Sequence, residues 1–382
     1  MIEGTITAKP QVFAAAVKWA AKFIATKPVV PMQGGLLLDI EDEGLYITAY
    51  NEVVTARAIV PVAGRASGSA VVSGRLLAEL VATFPNKEVE ISGGTDDVLI
   101  AAGRWHGSLP TMNADDFPEV PTEPNTIGVL HGGDALHDAV AKAAAATQAD
   151  AAVVQSRCVH LTFEEERVTV MASDSYRAAR ARAPFAMTEE AAAGDATMDI
   201  ALTSPTALLL GQVAVDVTAA FMGPDDIEVG LDGGSLSLTS ATRSIVMRQI
   251  SEPYDERIGK LFGVDQPEHV RVKVADLTVP LKRAGIMQGK GAPVVLHFGP
   301  DLITINVPAD DKQKGADEEV DAEYSGPEHT LKFNPDKLGD ALGSAPGGEV
   351  DIAMRTGVVA GVVITVPGND DWRHLLQPLK GK

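Results

Sequence analysis

The pairs Asp115–Asp116 and Asp225–Asp226 have the residue type and spacing to hold a magnesium ion, because hard cations take carboxylate oxygens. One precedes Phe117–Pro118 and the other an apolar strand pattern, so both read as solvated loop acids. His131 and His137 are six apart, which puts them on different faces of a helix rather than together on a metal. Gly289–Lys290–Gly291 lacks the upstream glycine and the following hydroxyl of a phosphate-binding loop. There is no GxGxxG after a strand and no GxSxG elbow. From Asp310 to Glu323 seven acids face two lysines, a charged loop running into a strand edge, where charge discourages edge pairing. No catalytic residue, metal or cofactor is expected.

A different chemistry is concentrated in ASDSYRAARA, residues 172–181. Arg177, Arg180 and Arg182 follow an alternating apolar run and sit beside Asp174 and Tyr176. The same layout of strand, polar turn and strand occurs at Leu45–Val62, 123 residues earlier, and with a longer loop at Leu302–Ser325. Each copy is preceded by a helical pattern: Gln11–Ala25, Gly133–Thr147 and Asp276–Met287. Each is followed by a second helix and short strands. Ser73, Ser204 and Asn334 are placed to cap those second helices, with Pro205 and Pro335 directly after the cap. Three similar α+β domains follow, over residues 1–124, 125–252 and 253–382, each expected to carry two helices and antiparallel sheets.

Composition agrees with several soluble domains. The chain has 382 residues, 45% apolar, with aromatics at only 5%, so the cores rest on Ala, Val, Leu and Ile. The single Cys158 rules out an intramolecular disulfide framework and a Cys-rich zinc site, which suits a reducing cytoplasm. The start MIEGTITAKP has neither a basic nor an apolar leader region, and no apolar run is long enough to span a membrane. The net charge of −20 keeps the protein soluble and, taken alone, argues against tight nucleic-acid binding.

Where the charges lie changes that conclusion. Val12, Phe13, Ala16, Val17, Ala20, Phe23 and Ile24 make an apolar face on the first helix. Lys18 and Lys22, four apart, share the opposite face, and Lys27 follows. Arg75 starts the next helix, Lys142 lies among alanines, Lys282, Arg283 and Lys290 cluster around the third repeat's first helix, and Lys337 lies on its second. Acids concentrate in turns and strands. Basic helix faces and acidic strand edges make a phosphate-facing helical surface the expectation.

Taken in order, these segments resemble the bacterial sliding clamp, the beta subunit of DNA polymerase III, over nearly the whole chain. The resemblance rests on ASDSYRA (172–178), KPVVPM (27–32), LLAELVATFPNKEVEI, GSLPTMNADDFPEVP, YSG (324–326), FNP (333–335) and the terminal LLQPLK. It implies a non-enzymatic, head-to-tail homodimer closing into a six-domain ring around double-stranded DNA, with helices inside and sheets outside. The implied DNA-facing residues are Lys18, Lys22, Lys27, Arg75, Lys142, Lys282, Arg283 and Lys337. The implied partners are the replicative polymerase, the clamp loader and other proteins carrying clamp-binding motifs.

The resemblance also implies a groove for short apolar peptides. Its residues are Ser173, Tyr176, Arg177 and Ala178; Pro253, Arg257 and Ile258; Val358 and Ala360; and Gln377, Pro378, Leu379 and Lys380. The stems of Arg177 and Arg257 are expected to cover the rim and donate to peptide carbonyls. The chain departs from the family pattern at several points. Ser175–Tyr176 replace Gly-His, Ala178 replaces Leu and widens the pocket, Gln377 replaces Met, and Lys337 aligns with a bulky aromatic. Ser204–Pro205 stand where some clamps have Arg-Lys. Two other readings stay open: a clamp homologue with altered partner or inhibitor binding, and an α+β enzyme with an unrecognised site.

Overall fold

The alternating runs form antiparallel strands, and the 3.6-residue patterns form short helices packed on them. The computed structural model describes residues 1–41, 44–193, 206–252, 257–263, 266–288, 292–309, 315–354 and 361–379. They fall into two compact units, Met1–Leu130 with Asp225–Gln249 and His131–Pro224 with Ile250–Lys382.

In the first unit, helices α1 (Pro10–Ala20) and α2 (Gly74–Val81) pack together against the sheet. Phe13, Val17 and Ala20 of α1 are buried as its apolar stripe requires, while Lys18 stays exposed. Trp19 is buried too, and Val12 is not. The indole stands edge-on to Phe23 and lies under the Arg243 guanidinium, 5.4 Å from the ring centroid. Ser73 caps α2 as expected, its Oγ accepting from Leu76 N. The strand Val54–Val60 pairs on one side with Gly44–Tyr50 and on the other with Arg243–Arg248. The sheet therefore joins the first repeat to the second half of the middle one.

The second unit repeats that junction. It carries α3 (Asp134–Ala144), α4 (Glu189–Ala193), α5 (Gly211–Ala219), α6 (Arg257–Leu261), α7 (Val274–Gln288) and α8 (Pro335–Gly343). An eight-stranded sheet runs from Thr206–Leu210 to Glu268–Lys273, and at its centre Arg177–Pro184 pairs with Asn369–Leu376. A four-stranded sheet ends at Ala316–Asp321, an edge strand that pairs only with Leu302–Val307 among the described residues.

The repeat is visible in small detail. Ala25 N donates to Gln33 O at 2.7 Å, and 123 residues on Gln148 N donates to Ser156 O at 2.8 Å. One expectation fails. The second helix of the middle repeat starts at Gly211 after Leu210, with no side-chain cap. Ser204 is therefore not its cap, and Gln212 rather than Pro205 holds the position that Arg75 holds on α2. Thr206–Leu210 is a strand, which displaces the helix start; Ser204 and Pro205 themselves lie outside the described residues.

Candidate functional site

The turn Asp174–Arg177 joins two central strands of the eight-stranded sheet, Arg167–Ser173 and Arg177–Pro184. Asp174 Oδ1 accepts from the backbone N–H groups of Tyr176 (3.0 Å) and Arg177 (3.1 Å), the local pairing that makes Asp a turn residue. Ser173 Oγ donates to Arg177 O at 2.8 Å. Ser175 takes the left-handed conformation, φ 74°, which glycine adopts without steric cost.

The Asp174 side chain is fully buried and accepts two more bonds through Oδ2, from Arg177 Nε at 3.0 Å and from Lys337 Nζ. Arg177 then donates to Asp340 Oδ2 at 2.8 Å and to Thr147 O at 3.3 Å. Two acids and two bases thus alternate through the junction of the middle and last repeats. Arg177 is not the exposed rim donor expected from the sequence. It is 7% exposed and its guanidinium is consumed internally, because its position in the strand has the same parity as Ala179, Ala181 and Ala183, which are buried. It lines instead the floor of a cleft of about 870 Å³, with Asp138, Lys142, Thr147, Asp340 and Pro346.

Lys337 also leaves the set assigned to helix faces. Asn334 caps α8 by accepting from Asp336 N (2.9 Å) and Lys337 N (3.1 Å), which sets Lys337 in the first turn. A cation there opposes the helix dipole, and the buried Asp174 carboxylate offsets it. The ammonium lies 5.1 Å from the centroid of the Tyr176 ring, within cation–π range. Tyr176 is 55% exposed, and its carbonyl accepts from Gln377 N at 2.8 Å. Turn and C-terminal segment are thereby brought together. Gln377 is exposed, Pro378 buried and Leu379 half-buried. Ala178 is buried opposite Leu375. Arg257 is exposed and Ile258 half-buried on α6. Pro253, Val358, Ala360 and Lys380 lie outside the described residues.

The other helix cations divide into two kinds. Lys18, Lys22, Lys27 and Lys282 are exposed. Arg75 pairs with Glu79 at 3.1 Å, Lys142 with Asp138, and Arg283 with Glu318, Arg283 Nε donating at 3.0 Å. Among the described residues no group of three His, Cys, Asp or Glu side chains is arranged to hold a metal, and no helix is long and apolar enough to cross a membrane.

Beneath this network His374 is fully buried, and neither ring nitrogen has a hydrogen-bond partner among the described residues. Burial, and then the Arg177 charge, hold its pKa down to about 3 against an ordinary 6.5, with Asp174 pulling the other way. Between those values the unfolded chain binds the extra proton. The contribution to stability is complete above about pH 6.5 and is lost as pH falls toward 3, by up to about 1.4 kcal/mol per pH unit. Ile245 occupies the equivalent place in the first unit, opposite Ala56 as His374 is opposite Ala179. His374→Ile is therefore expected to flatten the fall in stability between about pH 6.5 and 4. Urea unfolding across that range checks it; an unchanged slope contradicts the assignment.

Sequence reasoning missed Asp174 and Asp340 as site residues. The Asp-x-x-Arg turn was the available signal for Asp174; nothing local marks Asp340.

Comparison with known proteins bears on the family and the fold. The family models described as DNA polymerase III beta subunit, N-terminal domain and C-terminal domain, match residues 5–121 and 259–380, together more than half of the chain. The beta sliding clamp of Streptomyces coelicolor is 25% identical, covering 98% of this chain and 99% of that protein. The beta sliding clamp homolog GriR of Streptomyces muensis is 24% identical, covering 87% of this chain and 86% of that protein. Among solved structures, the DNA polymerase III beta subunit of Thermotoga maritima superposes with a TM-score of 0.86 at 21% identity, covering both chains in full. The Pseudomonas aeruginosa sliding clamp bound to griselimycin superposes with a TM-score of 0.87 at 18% identity, covering 99% of this chain and 100% of that one. With the repeated strand–turn–strand units, the shared junctions and these full-length likenesses, the chain belongs to the DNA polymerase III beta-subunit family of sliding clamps.

Proposed function

We propose that the protein is a non-enzymatic DNA sliding clamp of the cytoplasm. Three modules per chain, residues 1–124, 125–252 and 253–382, form half of a homodimeric ring around duplex DNA. The ring tethers the replicative polymerase, and it also serves the clamp loader and other proteins carrying a clamp-binding motif. Weak, sequence-independent contacts suffice, because a closed ring cannot leave sideways.

One observation carries this reading. The same strand junction is used twice within the chain, Val54–Val60 with Arg243–Arg248 and Arg177–Pro184 with Asn369–Leu376. The third pair of equivalent edges is unused among the described residues. Ala316–Asp321 has an open side, and Trp105–Met112 meets Val62–Ser73 only at its last two residues. A second copy, docked head to tail, supplies each missing partner, and two such contacts close a ring rather than a filament. The acids of Ala316–Asp321 face Arg104 and His106 in that arrangement. Native mass spectrometry is expected to give about twice 40.0 kDa; a monomer at micromolar concentration would count against it.

The groove at Tyr176, Arg257, Ile258 and Gln377–Leu379 takes the partner peptide. The exposed Tyr176 ring and the apolar Ile258 and Leu379 support this assignment. Lys18, Lys22, Lys27 and Lys282 are the cations most available to phosphates, and the paired Arg75, Lys142 and Arg283 contribute less. Lys337 sets an ammonium 5.1 Å from the Tyr176 ring, beside the apolar part of the groove. Lys337→Tyr is therefore expected to raise affinity for an apolar clamp-binding peptide roughly tenfold, the scale of a buried aromatic contact. Fluorescence anisotropy measures it, and weaker binding by the variant contradicts the assigned role.

A further inference from the structure

The strand Arg177–Pro184 presents two opposite faces. Ala179, Ala181 and Ala183 are buried on the side where α3 packs, and Arg180 and Arg182 project from the other. Arg373 of Asn369–Leu376 lies directly across from Arg180. Like charges facing one another across a strand pair are destabilising, and the fold does not require this pair. At the equivalent junction of the first unit, Arg57 faces Ser244 and is neutralised by Glu41 at 3.0 Å, above the Tyr46 ring.

Among the described residues, the counter-charge acting on Arg180 comes from Asp370 and Asp371. Arg180 Nη2 donates to the Asp370 carbonyl at 3.2 Å, and Arg373 Nη2 reaches the Asp370 carboxylate at 3.4 Å. Arg373 Nη1 donates to Phe262 O at 3.2 Å, and the Phe262 ring lies 5.6 Å from Arg180. The Nε atoms of Arg180, Arg182 and Arg373 are buried with no hydrogen-bond partner among the described residues. Burial, followed by the neighbouring Arg182 and Arg373, pushes the Arg180 pKa down to about 10. A cleft of about 440 Å³ opens alongside, lined by Phe262, Gln266, Val363, Arg373 and the carboxylates Asp351 and Asp370, of which Asp351 is paired with Arg271 at 2.8 Å.

We propose that this arginine cluster is a docking site for an extended acidic segment of a partner protein, with carboxylates at alternate positions. In a chain of net charge −20 the cluster is a cationic island complementary to such a segment. Arg180 and Arg182 are two residues apart on a strand, about 7 Å, which matches the repeat of alternate side chains in an extended peptide. Arg373 adds a guanidinium on the neighbouring strand. The site lies on the sheet face away from α3, so it is separate from the basic helix faces, and it does not depend on the clamp reading.

The test is fluorescence anisotropy with a fluorescein-labelled Gly-Glu-Leu-Glu-Leu-Glu peptide and its Gln-for-Glu counterpart. The protein is expected to bind the acidic peptide at low salt and the Gln peptide at least about tenfold more weakly, as charge-assisted contacts require. Arg180→Ala with Arg373→Ser is expected to lower affinity for the acidic peptide by a similar factor, without lowering the melting temperature. Arg182→Gln, which leaves the strand pair intact, is expected to shift affinity in the same direction. The proposal is overturned if the acidic peptide fails to bind, if the variants bind it unchanged, or if a short DNA duplex displaces it at lower concentration than unlabelled peptide.

Discussion

Asp174→Ala is expected to lower the unfolding free energy of the second unit by about 3–5 kcal/mol, the usual cost of breaking a buried ion pair from one side. The carboxylate has no exposed surface and accepts from two backbone N–H groups, Arg177 and Lys337. Its removal leaves two cations facing each other in a poorly solvated turn, and it releases the Tyr176 backbone that holds Gln377. Urea unfolding at neutral pH measures the loss. Lys337→Met in the Asp174→Ala background is expected to recover part of it, because the orphaned ammonium is gone and its hydrocarbon remains. A drop below about 1 kcal/mol would mean that water or Asp340 already satisfies these cations, and that the network does not organise the groove.

His106→Cys with Asp317→Cys, in a Cys158→Ser background, is expected to oxidise to a covalently closed dimer in high yield. The registers dictate the pair. Arg57 faces Ser244 and Arg180 faces Arg373. Ser244 lies one residue beyond the turn pair Ser240–Arg243, as His106 lies one beyond Ala102–Trp105. Arg57 pairs with Thr48 on its own sheet as Asp317 pairs with Asn306. In the proposed ring Asp317 of one copy is therefore expected opposite His106 of the other, at the roughly 4.5–5.5 Å Cα spacing of facing strand residues, which a disulfide can bridge. Each single-cysteine chain is expected to stay monomeric on a denaturing gel. The double variant runs as a dimer under non-reducing conditions only. Long linear polymers in place of the dimer would mean that the junction forms but does not close.

Much of this architecture was legible in the residues. Alternation within Leu45–Val62, Val168–Phe185 and Leu302–Ser325 specified strand–turn–strand units, and paired strands are present in each. Ser73 and Asn334 cap helices because their side chains accept the first free N–H groups, a rule that acts within four residues. Interactions that span the chain were not legible. Asp174 meets Lys337 and Arg177 meets Asp340, each 163 positions away in sequence. No local pattern distinguishes Arg177, which turns inward, from Arg180, which turns outward, until strand parity is known. The middle repeat's second helix was misplaced because Ser204–Pro205 imitates a cap, whereas the helix starting at Gly211 has none. Nor does any local pattern show that the sheets join neighbouring repeats.

The most direct measurement is retention on DNA. The double-cysteine chain, diluted to monomers, is assembled over a nicked circular plasmid, oxidised, and washed at high salt, where simple phosphate contacts are screened. The protein is expected to stay with the circle and to be released when a single restriction cut makes the plasmid linear. Loss from the circle in the wash, or equal retention before and after the cut, would contradict encirclement.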